Sequence, residues 1–457
     1  MSAWLKYDEN EKKDIASFTD SYMEFISEAK TERLFTKKAL KLAIDSGYED
    51  IEDIINEGRT LKPQDKVYCN VMNKSLILMH VGSDPIADGM NIIGAHLDSP
   101  RLDLKQNPLY EDDEIAYFDT HYYGGIKKYQ WVTIPLAMYG IVVKKDGTEV
   151  EIAIGDKDSD PVFVISDLLI HLSGDQIQKK GNEIITGENL NLIVGNIPLS
   201  EDEKESVKKN ILQLLKNRYD IEEDDFFSAE IEIVPAGKAR SAGLDESMVL
   251  AYGQDDKSCA YTAMMAQLNL DQVERSAVCL LMDKEEVGSN GATGMHSRYF
   301  ENFVAEVLEA SGISGDIYVR RALQNSDMLS ADVVAAHDPI YGSVSSPNNM
   351  AKLSKGIAFM KYSGARGKAG ANDANAEYLA SLRSVMDEGN VIWQSTELGA
   401  VDAGGGGTIA YILANYGMQV VDAGVPLLNM HAPFEVSSKA DIYEAFKAYF
   451  AFYQYNV

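Results

Sequence analysis

Two apolar runs, nearly two hundred residues apart, end in the same kind of chemistry. Met90–Ala95, in MNIIGAHLDSP, leads into His96 and Asp98. Ala277–Met282, in AVCLLMDKEEVGS, leads into Glu285 and Glu286. Three further junctions carry acid or imidazole groups: Asp255 and Asp256 in GQDDKSC, Asp332 in SADVVAAHDP, and His431 in NMHAPFE, after the apolar VPLLN. One or two imidazoles with several carboxylates form the donor set of hydrolytic zinc, manganese or cobalt sites. A pair of such metals needs a bridging carboxylate, terminal ligands on both sides, and one more carboxylate free to take a proton from water. Adjacent glutamates suit the last two duties. Their side chains diverge on an extended or turning backbone, so one can ligate while the other faces the water.

Taken singly, each piece has an ordinary reading. HLD is a strand end, DKEEVGS a solvated turn, QDDK a surface sequence, Asp332 a cap and His431 a satisfied buried histidine. Only their joint occurrence at strand ends points to one site.

Such a site needs a fold that gathers strand ends, and open α/β sheets place functional groups beyond the carboxyl ends of their strands. The first sixty residues read as helical: TERLFTKKALKLAID sets Leu34, Leu40 and Leu42 among charges, with Thr31 as N-cap. KVYCNVM and SLILMHV flank Asn73-Lys74 as a hairpin, and MNIIGA has the continuous apolar character of a strand buried on both faces. From Pro100 to about Gly243 the pattern is mostly β, in WVTIPLAMYGIVV, EVEIAIG, PVFVIS, LNLIVGNIPL and AEIEIVPA. One helix interrupts it, in KESVKKNILQLLKNRYD, with Val207, Ile211, Leu214 and Leu215 on one face. After Gly243 strands and helices alternate, the pattern of a three-layer α/β/α domain with a mixed, mostly parallel sheet. The expected organisation is a catalytic domain in two parts, residues 1–99 and 244–457, with a β-rich module, residues 100–243, inserted between them.

Composition excludes several partners. The 457 residues carry a formal net charge of −29, from 71 acidic and 42 basic side chains. Phosphate binding needs clustered Lys and Arg, so neither nucleic acid nor an anionic membrane is expected. No apolar run approaches the roughly 20 residues of a membrane span, and MSAWLKYDENEKKD lacks the apolar core of a secretion signal. Three scattered cysteines, Cys69, Cys259 and Cys279, fit reduced thiols in the cytoplasm.

Five blocks, GAHLDSPRLDLK, GQDDKSCAYTA, MDKEEVGSNGATG, SADVVAAHDP and NMHAPFE, stand in the order found in the aspartyl aminopeptidase family of zinc metallopeptidases, which includes vacuolar aminopeptidase I. The resemblance runs through most of the chain. It implies two divalent ions per subunit, zinc with cobalt or manganese as alternatives. His96 and Asp332 would bind one ion, Glu286 and His431 the other, and Asp255 would bridge; Asp256 would be no ligand. Catalytic roles would fall to Glu285 as general base and to Asp98, which would hold the His96 imidazole. His171, in ISDLLIHLSGDQ, matches a histidine that reaches substrate in a neighbouring subunit, against the ordinary reading of a helical histidine near an apolar face. His80, His121, His296 and His337 have no matching block. The resemblance further implies a dimerisation role for the inserted module and dimers assembled into a tetrahedral dodecamer. The expected reaction removes the N-terminal residue of peptides, whether acidic (Asp or Glu) or neutral. Lys361, in AFMKYSG, is a candidate cation for an acidic side chain, against its reading as a surface lysine. Rival readings are a two-metal deacylase or carboxypeptidase-like hydrolase and a non-catalytic assembly protein that retains the fold. A dinucleotide enzyme is weaker, because no GxGxxG follows a first strand.

Overall fold

Polar residues at the start of the chain become helix caps. In the computed structural model, which describes residues 2–157, 159–200 and 204–456, the Asp8 side chain accepts from the amides of Asn10 and Glu11. The Glu11 carboxylate returns a bond to Asp8 N, opening α1 (Glu9–Glu28). Thr31 caps α2 (Glu32–Asp45) through Leu34 N, as its position predicts. The face that α2 buries differs from expectation. Phe35, Thr36, Ala39 and Ala43 point inward, while Leu34, Leu40 and Leu42 are half-buried. Two alanines let the helix backbone approach the sheet closely, so the larger leucines flank the contact.

The chain forms two compact units. The larger comprises Met1–Asp98, Ala239–Met430 and Glu435–Val457; the smaller comprises Ser99–Lys238 and His431–Phe434. The larger unit is built on nine strands: β1 (Glu49–Asp50), β2 (Lys66–Val71), β3 (Ser75–His80), β4 (Met90–His96), β5 (Ser276–Met282), β6 (Asp327–Ser330), β7 (Ile357–Met360), β8 (Trp393–Thr396) and β9 (Gln419–Gly424). Their spatial order is β1-β2-β3-β5-β4-β6-β9-β7-β8. Five of the eight neighbouring pairs are parallel, the antiparallel ones being β2/β3, β3/β5 and β9/β7. β3, β4 and β5 are buried at every position, as strands covered on both faces must be.

Helices supply the two outer layers. On one face Leu78, Ile93, Cys279 and Val421 pack with α1, α2, α4 (Gln254–Leu268), α7 (Ala376–Glu388) and α9 (Lys439–Tyr453). On the other, Ile77, Ile92, Leu280 and Val420 pack with α3 (Ile51–Asn56), α5 (Tyr299–Ala310), α6 (Asp316–Gln324) and α8 (Ala410–Ala414). Neighbouring residues of each strand thus serve opposite cores, which gives the three-layer α/β/α architecture. A second sheet of the same unit pairs Met248–Ala251 antiparallel with Glu435–Ser438. Among the described residues no helix is long and apolar enough to cross a membrane.

The smaller unit is a six-stranded antiparallel sheet. Its longest strands, Arg101–Asp112 and Ile115–Tyr123, form a hairpin whose two linking residues, Asp113 and Glu114, both have positive φ (47° and 61°). That backbone suits a two-residue hairpin, although neither turn residue is glycine or asparagine. PVFVIS forms only isolated bridges at Phe163 and Val164 instead of a strand. The expected helix is Ser206–Tyr219; Val207 is buried, but Leu214 is 54% exposed. Around His171, Leu168, Leu169, Ile170 and Leu172 are all exposed, Ile170 at 70% and Leu172 at 68%.

Candidate active site

Strand register explains why distant acid and imidazole groups can cooperate. β4 and β5 run parallel with Met282 opposite His96, and β6 sets Ser330 opposite Gly94. β6 stops two residues short of the end of β4, so Asp332, two residues past Ser330, comes out near the level of His96. Past Met282 the backbone turns sharply: Lys284 has φ 71°, and Glu285–Val287 form a single 3-10 turn. Two amides of that turn are captured by one carboxylate. Asp98 Oδ1 accepts from Glu285 N at 3.0 Å, and Asp98 Oδ2 accepts from Glu286 N at 3.1 Å.

The same Asp98 orients His96. Its Oδ1 lies 3.4 Å and its carbonyl oxygen 3.0 Å from His96 Nδ1, so Nδ1–H donates to Asp98. Nε2 is thereby turned toward Asp255 Oδ1 at 3.2 Å and Asp332 Oδ1 at 3.8 Å. A carboxylate behind the imidazole fixes the tautomer and aims the second nitrogen. Asp255 and Asp256 open α4 but lie outside helical geometry (φ −80°, ψ 107° and φ −112°, ψ 24°), and the peptide between them is cis.

Ligand atoms converge in two overlapping groups, each with atoms within 4.8 Å of one another. One is His96, Asp256 and Asp332; the other is His96, Asp255 and Glu286. Asp256, expected to be no ligand, thus sits inside the first group, and its Oδ2 also accepts from His96 N at 3.3 Å. Burial pushes the Asp256 carboxyl well above its usual range, and the Asp255 charge adds to this against the opposing pull of His96. Asp332 is raised by burial first, then by the charges of Asp256, Asp255 and Glu285. Burial lowers the His96 imidazole, but Asp255, Asp98, Asp332 and Glu285 outweigh it and hold the ring well above its normal value. Buried carboxylates crowded around one imidazole call for a compensating positive charge. The donors are those zinc takes, so these residues fit a divalent ion.

His431 is a member of neither convergent group. His431 belongs to the smaller unit, has φ 64°, and meets the Gly125 carbonyl oxygen through Nδ1 at 3.0 Å. His171 sits in the smaller unit on the short 3-10 turn Ile170–Leu172, exposed, instead of on a helix face. Lys361 follows β7, which runs antiparallel to β9 and hence to the ligand-bearing strands. It lines a cavity of about 350 Å³ with Phe359, Leu382, Arg383, Met386 and Trp393. Glu435, quoted within NMHAPFE but given no role from sequence, is buried and accepts Asp255 N–H through Oε2 at 3.1 Å. No local signal marks it; only the pairing of its strand brings it under the Asp255 turn.

Residues 25–453 match the family described as aminopeptidase I zinc metalloprotease (M18). A probable M18 family aminopeptidase 1 of Clostridium acetobutylicum is 56% identical over 452 residues, covering 99% of this chain and 97% of that protein. The crystal structure of aminopeptidase I from Clostridium acetobutylicum is similar, with a TM-score of 0.93, 54% identity, and coverage of 100% of this chain and 99% of that one. The crystal structure of an M18 family aminopeptidase from Thermotoga maritima superposes with a TM-score of 0.94 at 46% identity, covering 99% of each chain. At 18% identity, where likeness speaks to fold alone, the dodecamer of S. cerevisiae mApe1 has a TM-score of 0.75 over 96% of each chain.

Proposed function

We propose a mechanism from one established premise: the chain belongs to the M18 family of aminopeptidase I zinc metalloproteases and is a metallo-aminopeptidase, hydrolysing peptide bonds. In this reading Glu285 is the general base, and Asp98 sets the site around it. The observation that carries the reading is the grip of Asp98 on both the His96 ring and the amides of Glu285 and Glu286. One side chain thereby relates the ligand imidazole to the turn that bears the base.

His96, Asp255, Glu286, Asp332 and His431 would hold two divalent ions, zinc with cobalt or manganese as alternatives, and Asp255 would lie between them. Bound there, such a pair supplies an acidified water and a Lewis acid for the scissile carbonyl. The proton handling belongs to the chain. Glu285 takes a proton from the attacking water and returns it to the leaving amine. The burial of His96, Asp255 and Asp256 keeps bulk water away and strengthens every charge interaction in the site. His171, donated by a neighbouring copy, contacts the substrate.

The exposed apolar run around His171 supports the smaller unit as a dimerisation domain. Dimers then assemble into a tetrahedral dodecamer; the S. cerevisiae mApe1 dodecamer supports self-assembly and the number of copies. Three free cysteines support a cytoplasmic location. Substrates are peptides, and a panel of aminoacyl substrates carrying Asp, Glu, Leu and Lys separates acidic from neutral preference.

Glu285→Gln tests the core of this reading. The variant should keep its full metal content by elemental analysis yet lose roughly 10²–10⁴-fold or more in kcat, since the proton acceptor is gone while the ligands remain. Near-normal turnover removes Glu285 as the base.

A further inference from the structure

The turn that carries Asp255 is held by a strand from the far end of the chain. Glu435–Ser438 pairs antiparallel with Met248–Ala251, placing Glu435 opposite Ala251, just ahead of the turn Gly253–Asp256. Three contacts tie strand to turn. Gln254 Nε2 donates to the Glu435 carbonyl oxygen at 2.7 Å, the Ser437 hydroxyl donates to Gln254 Oε1, and Glu435 Oε2 accepts from Asp255 N at 3.1 Å. All three side chains are buried, Glu435 at 1% exposure.

The third contact has the most consequence. Asp255 N–H belongs to the head of α4, where the first amides of a helix have no partner within it. Asp255 itself has non-helical φ and ψ, so no helical ladder fixes its peptide plane. A buried carboxylate from another strand does so, at the helix end where negative charge is favoured. A further acid beside Asp255, Asp256 and Asp332 is electrostatically adverse there unless its bonding compensates. An apolar residue at position 435 would take from the buried Asp255 amide the acceptor it has in Glu435.

We propose that Glu435 is a positioning residue for the metal site. By accepting the Asp255 amide it fixes the direction in which the Asp255 carboxylate leaves its turn. It thereby holds Asp255 Oδ1 at 3.2 Å from His96 Nε2, the spacing from which both reach a common ion. The inference rests on the reading of Asp255 as a ligand. Glu435 belongs to neither convergent donor group and acts through Asp255.

The test is zinc affinity by chelator competition on the full-length protein, with the visible spectrum of the cobalt-substituted form as a second readout. Glu435→Ala should weaken zinc binding by about 10–100-fold and alter the cobalt bands, while Glu435→Gln, which keeps an acceptor oxygen at the same reach, should stay within about threefold of wild type. Glu435→Asp, one methylene short of the amide, should behave like Glu435→Ala. Because alanine could impair folding, the Gln and Asp variants decide the matter between themselves, with thermal melting of the metal-free proteins as the folding control. Wild-type affinity in Glu435→Asp, or a loss in Glu435→Gln as large as in Glu435→Asp, overturns the proposal. Asp255→Asn measured in parallel separates the two levels. If it too binds zinc as wild type does, the ligand reading itself has failed; if it alone is weakened, only the role of Glu435 has.

Discussion

The larger unit hides charge, and the smaller unit shows apolar surface. Around His96 the carboxyls of Asp255 and Asp256 are withdrawn from water, and that of Asp332 largely so. Around His171 four large aliphatic side chains, from Leu168 to Leu172, stand in solvent. Each arrangement reverses the usual partition of residues, and each is unfavourable for an isolated chain. The two reversals call for different remedies, a cation for the first and an apolar partner surface for the second. In the proposed reading, departures from ordinary burial mark function in both units, and their sign tells which kind of component would complete each.

The comparison breaks most readily at Asp98. Asp98→Ala removes the support of His96 and of the Glu285–Glu286 turn together, and kcat/KM should fall by on the order of 10³-fold with a measurable loss of zinc affinity. Wild-type steady-state kinetics would show that the turn holds itself. A smaller effect is expected in the other unit. His171→Phe should retain both metal content and assembly yet slow turnover by on the order of 10²-fold, the scale of one lost transition-state contact. If the variant loses metal, His171 is instead a ligand. Leu169→Asp combined with Leu172→Asp places two charges in the exposed apolar run. The protein should sediment as a smaller species, with the fold of the single chain retained because both sites are exposed there. An unchanged sedimentation coefficient removes that face from the assembly.

The smallest effect concerns a buried polar group outside the site. His80, at the end of β3, is fully buried, and its ring nitrogens have no hydrogen-bond partner among the described residues. Burial, with some help from Lys66, pushes its pKa down to about 4, below the usual 6.5. The folded state thus favours the neutral ring. Its contribution is complete above pH 6.5 and is lost as pH falls from there toward 4. Between pH 7 and pH 4.5 wild type should lose about 2 kcal/mol more than His80→Leu in urea denaturation. Parallel stability profiles for the two proteins would place the acid sensitivity elsewhere.

Much of the architecture is legible in the chain. The Thr31 cap, the Asn73-Lys74 hairpin and the continuous apolar strands depend on near neighbours, and helical and extended periodicities distinguish the segments after Gly243. Other elements leave weak marks. Arg101–Asp112 and Ile115–Tyr123, the longest strands, are rich in acidic and polar residues and turn through Asp113-Glu114 without a glycine. PVFVIS has strong strand composition yet gains only isolated bridges. Pairing partners, absent from local sequence, decide such cases.

The chain by itself determined the supply of chemistry: imidazole and carboxylate groups at strand ends, an acidic surface, and thiols without pairs. Side-chain type and local periodicity are properties of short stretches. Tertiary structure alone decided which of those groups converge. Strand register set Met282 level with His96, the turn after Lys284 brought two amides onto Asp98, Asp256 joined a donor group it was expected to leave, and a distant strand carried Glu435 beneath Asp255. Convergence of that kind depends on hydrogen-bonded pairing across hundreds of residues, and spacing along the chain carries no record of it.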